Sequence, residues 1–217
     1  MLDGISTLQS GLDFTLLSAV KNITWIDSNM DGYIFPSAPI LCQSVTIRNT
    51  ALLSIHGLFG GSIDTLNIIK NEQLTDVNLP LESITSSLFL AKNGGGGDST
   101  STAYTFPNLT WAANMTVFNT SQLSVPSLMV VNGSLGLYGN TFDSFSAPKL
   151  SSVGNVATGV GRVDFDANLA MTGLYMPLLV EVGGTLSVTF NDKLAILDLV
   201  ALARVGGALD LSGAFST

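Results

Sequence analysis

Two carboxylates, Asp164 and Asp166, stand two residues apart in the segment RVDFD, a spacing that puts both on one face of an extended strand. Paired acids on one face are the arrangement that glycoside hydrolysis uses for its acid and its base or nucleophile. A catalytic reading needs further acids on neighbouring strands. The matching outward positions are Gly136 and Tyr138 on one side and Ser187 and Thr189 on the other, so no acid cluster builds up and the pair reads as a solvated acidic edge. His56 is the single histidine; it lies beside Gly57 at an expected turn, with no partner at ligand spacing, so neither a catalytic nor a metal role is assigned to it. The run GGGG at 94–97 lacks the Lys and Ser/Thr of a phosphate loop and reads as a flexible loop. No catalytic residue, metal or cofactor is therefore expected.

Sugar chemistry is better represented. Asn22, Asn108, Asn114, Asn119 and Asn132 each begin an N-x-S/T triplet without proline, where the 15 Asn and 44 Ser plus Thr of the chain predict about three by chance. Four of the five fall between 108 and 132, so glycans would make one flank bulky and hydrophilic. Tyr33, Trp111, Tyr138 and Tyr175 form a sugar-stacking strip if one face exposes them, with Tyr138 and Tyr175 the chosen pair and Trp111 assigned to the core or a corner.

These residues must be positioned by a repeat. Pairs of apolar residues two apart recur as Ile23 and Trp25, Val45 and Ile47, Leu66 and Ile68, Leu88 and Leu90, Met115 and Val117, Leu135 and Leu137, Val163 and Phe165, Leu186 and Val188, and Leu209 and Leu211. Successive pairs begin 20 to 28 residues apart, and a fixed period of this size signals stacked coils. Each pair makes a narrow apolar edge that only an identical neighbour can cover. An Asn follows at 49, 71, 93, 119, 140, 168 and 191, and turned inward it would bond the backbone of the next coil as a ladder. Asn119 is thus claimed both by the ladder and by a sequon, and is expected to be the least glycosylated of the five. Pro or a stand-in comes next, with Leu two later and Val three after that: Pro148, Leu150, Val153, then Pro177, Leu179, Val182, then Val200, Leu202, Val205. Proline cannot donate to a ladder and marks a corner.

The expected fold is all-β: a right-handed parallel β-helix of about nine coils of 22–23 residues, one solenoid domain over residues 1–217. Residues 1–20 fit the period poorly and read as an N-terminal cap or degenerate coil, with Phe14 to Val20 either a short helix or part of that coil. Residues 94–105 and 154–161 read as loop insertions. The chain is expected to continue past Thr217, because the series stops on a complete strand pair. Its start lacks the basic and apolar regions of a signal peptide, which leaves a cytosolic protein or a fragment. Only 11% of residues are charged and the net charge is -8, which argues against nucleic acid. No apolar run is long enough to span a bilayer. Cys42, the single cysteine, is either a buried free thiol or one whose partner lies elsewhere.

The stretch FPNLTWAANMTVFNTSQLSVPSLMVVNGSLGLYGNTFDSFSAPKLSSVG, residues 106–154, and the closing VGGALDLSGAF resemble the fungal GPI-anchored cell-wall organisation and sporulation-specific proteins, whose leucine-rich-like repeat belongs with the receptor L domain. The resemblance implies a non-enzymatic, glycosylated extracellular β-helix at the cell wall or outer plasma membrane, serving wall integrity or spore-wall assembly. It also implies wall polysaccharide or surface proteins as partners, and attachment to a membrane only through a GPI anchor that this chain does not contain. A carbohydrate- or protein-binding L-domain module is the alternative it leaves open.

Overall fold

The structure, a computed structural model, describes residues 2–3, 12–29, 33–34, 38–94 and 102–213, with only the backbone of 2–3, 12–13 and 33–34. Every regular element among them is a β-strand, and every ladder between strands is parallel. The chain winds as a parallel β-helix whose main sheet stacks nine strands, from Ala19–Ser28 through Leu41–Thr50, Gly61–Ile69, Leu81–Ala91, Met115–Phe118, Leu135–Tyr138, Val163–Asp166 and Leu186–Asn191 to Leu209–Gly213. The register follows the apolar pairs without a slip: Ile23, Val45, Leu66, Leu88, Met115, Leu135, Val163, Leu186 and Leu209 are successive Cα partners. From Val45 to Leu186 these side chains are essentially buried. Each contributes on the order of 2 kcal/mol by leaving water, so a slipped register would forfeit the whole column.

The first four of these strands run unbroken for nine to eleven residues, whereas later coils divide the same face into two short strands. Trp111–Ala112, Val130–Val131, Ser152–Val153, Glu181–Val182 and Arg204–Val205 stack as one row, and Met115–Phe118 begins the other. Gly183-Gly184 and Gly206-Gly207 lie at the break, where the backbones of adjacent coils nearly touch: a Cβ at Gly183 would overlap the Val160 carbonyl oxygen and the Asn155 nitrogen. Only glycine allows that approach.

A third face carries Ser54–His56, Asp76–Asn78, Thr102–Thr105 and Thr120–Ser124 as one ladder, then Ser144–Ser146, Gly173–Tyr175 and Ile196–Asp198 as another. The two ladders do not pair with each other. Thr102–Thr105 therefore corrects the loop expected over 94–105: its end is a strand held between Asp76–Asn78 and Thr120–Ser124, because Tyr104 and Phe106 supply buried side chains at alternate positions. Residues 95–101 lie outside the described residues. In the second expected loop the chain leaves its coil at Gly154 and returns at Gly161, closed by an antiparallel bridge from Asn155 to Val160. Before residue 20, Leu2–Asp3 pairs with Trp25 and Ile26, and Leu12–Asp13 pairs with Tyr33–Ile34. Phe14 to Val20 is a turn running into the first long strand, not a helix.

The ladder departs from its expected membership by one residue in two coils. Asn71, Asn93, Asn140, Asn168 and Asn191 are buried, and each side-chain oxygen accepts from the preceding coil: Asn71 Oδ1 from the Thr50 amide at 3.0 Å, Asn168 Oδ1 from the Asn140 amide at 3.0 Å, Asn191 Oδ1 from the Asn168 amide at 2.9 Å. Asn49 and Asn119 are not in it. Both are exposed in the left-handed region, φ 51° and 53°, and the next residues, Thr50 and Thr120, occupy the buried position. Every true member stands three places past its apolar pair, and these two stand only two places past. That nearer position is left-handed in every coil from Asp27 to Phe190, which suits Asn as readily as the ladder does.

Candidate functional site

Alternation along the strands turns every residue between the apolar pairs outward. On the main sheet Phe89, Thr116, Gly136, Asp164 and Ser187 form one outward row. Phe118, Tyr138, Asp166 and Thr189 form the next. Three aromatic rings on successive coils thereby meet: Phe89 and Phe118 at 5.9 Å between centroids and 57°, Phe118 and Tyr138 at 4.9 Å and 22°. Such pairs contribute about 1 kcal/mol beyond the area they cover. Tyr138 leans along its own strand over Gly136, where a Cβ would lie 2.5 Å from the ring.

The strip ends in a charged knot. The Tyr138 hydroxyl donates to Asp164 Oδ2 at 3.0 Å, and Arg162 Nη2 donates to the same oxygen. Asp164 is only 6% exposed, so its charge is matched where it sits instead of being solvated. Burial first, and then the bond to Asp164, push the Tyr138 phenol above its ordinary value, and the Asp164 carboxylate raises the Arg162 guanidinium further. Asp166 Oδ1 accepts from Thr189 Oγ1 at 2.8 Å. The arrangement offers a ligand an apolar, aromatic surface with a fixed hydrogen-bonding end. It does not offer a free acid and base.

Several expectations are corrected by this geometry. Asp164 and Asp166 do share a face, but Asp164 is buried in an ion pair and is no part of a solvated edge. Tyr138 and Tyr175 lie on different sheets, so they form no common strip; Tyr175 instead leans over Gly173 on the third face, repeating the Gly-Leu-Tyr geometry of Tyr138. Trp111 points outward and is partly exposed, while Ala112 takes the inward position. The side chain of Tyr33 lies outside the described residues. His56 is exposed and pairs through Nε2 with Asp76 Oδ2 of the next coil. Cys42 is a buried free thiol, its sulfur against the carbonyls of Lys21 and Ser44, and burial raises its pKa. No group of metal-ligating side chains exists among the described residues, and no helix among them is long and apolar enough to cross a membrane. No sequence motif marks Phe89, Phe118 or Arg162 as a site residue, although the alternation that sends Leu88, Leu90 and Val117 inward also sends both phenylalanines outward.

The sequence that winds into this solenoid is similar to known proteins over nearly its whole length. Over 216 residues, 99% of the chain, the sequence is 36% identical to protein ecm33 of Aspergillus fumigatus, and it covers 51% of that protein. It is 35% identical over 80% of its length to a cell surface GPI-anchored protein of Arthroderma benhamiae, covering 42% of it, and 28% identical over 99% of its length to sporulation-specific protein 2 of Saccharomyces cerevisiae, covering 41%. The chain is a homologue of the fungal Ecm33 and sporulation-specific proteins. It spans about half the length, or less, of these curated relatives. No family model matches it and no solved structure matches it.

All five sequon asparagines of this Ecm33 homologue are exposed. Asn119, expected to be buried in the ladder, is free at a left-handed corner, and its Nδ2 lies 3.9 Å from where a Cβ on Gly139 would stand. Asn114 is the engaged one: its Nδ2 donates to the Ser86 carbonyl at 3.2 Å and its Oδ1 accepts from the Ser134 amide at 3.0 Å, tying the coils on either side.

Proposed function

We propose that this chain is the solenoid of a non-enzymatic, glycosylated cell-surface protein that supports cell-wall organisation, wall integrity or spore-wall assembly. The observation that carries the reading is that the match to ecm33 runs along the whole solenoid and not through one motif. The relatives' names add support, among them a cell surface GPI-anchored protein and a Saccharomyces cerevisiae cell wall mannoprotein that is 30% identical over 52% of the chain. Exposed sequons suit an extracellular location at the wall or outer membrane face, with membrane attachment through a GPI anchor. The pairing of Asp164 with Arg162 and of His56 with Asp76 supports the non-enzymatic part. The test replaces the matching segment of Aspergillus fumigatus ecm33 by this chain and scores growth on wall-binding dyes. Restored resistance is expected, also with Asp164→Asn and Asp166→Asn together in a chain that is still secreted. Failure of the parent chimaera to reach the surface or restore the wall would overturn the reading, and failure of the double variant alone, with cleavage of a wall polysaccharide that the parent performs and the variant does not, would return an enzyme.

One observation favours a second reading, a sugar-binding module on the main sheet: the Phe89, Phe118 and Tyr138 strip with its Arg162 and Asp164 end. Retention of the secreted chain on wall polysaccharide, lost on Phe118→Ala, would establish it.

A further inference from the structure

The third face is interrupted where the coil containing Thr120–Ser124 meets the coil containing Ser144–Ser146. From Ser54–His56 onward adjacent strands on that face are paired, except between these two, where the ladder stops. Arc length explains it. From the ladder residue to the residue before the corner proline the chain takes five steps in one coil, Thr120 to Val125, seven in the next, Asn140 to Ala147, and eight in the one after, Asn168 to Met176. The short arc has no room for a turn such as those at Glu72 and Gln73 or at Leu169 and Ala170. Strand Thr120–Ser124 therefore cuts the corner and parts from Ser144–Ser146, leaving the Thr141 amide to Thr120 carbonyl bond, 2.9 Å, as a link at the closed end.

The result is a cleft of ≈ 450 Å³ in the wall of the solenoid. That volume falls within the roughly 300–1,000 Å³ of small-molecule sites. Two parallel strand edges form its sides, with peptide groups not bonded across the gap. Leu123 and Phe142, 6% and 4% exposed, are its floor, and Pro126 and Pro148 stand at one end. Gln122, Ser124, Asp143, Ser144 and Ser146 project polar groups into it, and none makes a side-chain hydrogen bond to another described residue. Asp143 is the only charged residue of the lining, and no sequon asparagine is among it.

We propose that this cleft binds a neutral oligosaccharide. Hydroxyls, an amide and open peptide edges match the alternating donors and acceptors of a polyol, and one carboxylate can accept from a vicinal diol. Proline and phenylalanine carbons suit the C–H faces of a pyranose. The lining holds no Lys or Arg for an anionic ligand. The site is separate from the aromatic strip, which lies on the main sheet, so it goes beyond both readings above.

The experiment titrates trisaccharides of β-1,3-linked glucose, of mannose and of N-acetylglucosamine into the secreted, glycosylated chain by calorimetry. Saturable binding of at least one is expected, weakened at least tenfold by Asp143→Ala and abolished by Ser146→Trp, which fills the cleft, with circular dichroism unchanged. Lys21→Ala, exposed on the first long strand and away from both the cleft and the aromatic strip, should leave it intact. Asp143→Ala keeps the test open if Ser146→Trp does not fold, because the Asp143 side chain is exposed. Absence of binding by all three overturns the cleft and leaves the cell-surface reading untouched. Binding lost on Phe118→Ala but insensitive to Asp143→Ala also overturns it, and places the sugar on the strip.

Discussion

At the scale of single residues, the ladder asparagines are the most consequential polar groups in the molecule. Asn168 donates through Nδ2 to the Leu137 carbonyl and Asn191 Oδ1, and accepts at Oδ1 from the Asn140 amide and side chain. Asn168→Ala would orphan several buried groups at once, and is expected to cost at least about 3 kcal/mol in denaturant unfolding. Asn49→Gly, at an exposed left-handed position, should stay within about 1 kcal/mol. Sequence pattern alone made these two asparagines equivalent, because a polar residue two or three places past a strand fits both the corner and the ladder; only the chain path separates them. The same one-residue difference inverts the glycosylation expectation. A glycopeptide map should now show Asn114 as the least occupied sequon, since its amide bridges two coils, and Asn119 as occupied. Tyr104 supplies a pH dependence. Its hydroxyl is buried beside Thr102 and Asn93 without a hydrogen bond of good geometry, and burial raises its pKa strongly. Above about pH 10 the unfolded chain loses this proton while the folded chain keeps it, so the folded state binds more protons and stability falls as pH rises. Thermal melts from pH 8 to 11 should show that fall, and Tyr104→Phe should flatten it without lowering stability at pH 8.

At the scale of elements, the strands were legible to the residue. Apolar pairs at a fixed period fix register because a single slip would exchange the inward and outward faces, and Ile23 through Leu209 align as their spacing demands. What the strands leave ambiguous is how the coil bends between them. Gly183-Gly184 and Gly206-Gly207 act as a crease, dividing one face into two short strands where coils approach backbone to backbone. Gly183→Ala is accordingly expected to destabilise by about 3 kcal/mol, the upper end for an overpacked core site, in denaturant unfolding. Gly159→Ala has open space and meets only its left-handed backbone, so about 1 kcal/mol is expected there. The outward face was half legible: Tyr138 was visible as a candidate, but its partners Phe118 and Phe89 came from coils whose relative position only the register reveals.

At the scale of the whole molecule, each coil touches its neighbours and little else, so stability is close to a sum over adjacent pairs. The sum is not uniform. The third-face rail is missing at two joints among the described residues, and of these the one between the coils of Thr120–Ser124 and Ser144–Ser146 is the weaker, since six residue pairs hold its main sheet (two and four) against eight between Ala19–Ser28 and Leu41–Thr50. A protein fixed at a surface and loaded along its axis would part first at the joint with the fewest rails. Pulling the chain by its ends in an optical trap should therefore give a first rupture that releases residues on one side of 125–140 while the rest stays folded, at a lower force than the later events. A single rupture of the entire solenoid would contradict this. The shortest coil is thus a fuse: under strain the rod yields at a set place and keeps its remaining coils intact, ready to close again when the load is lifted.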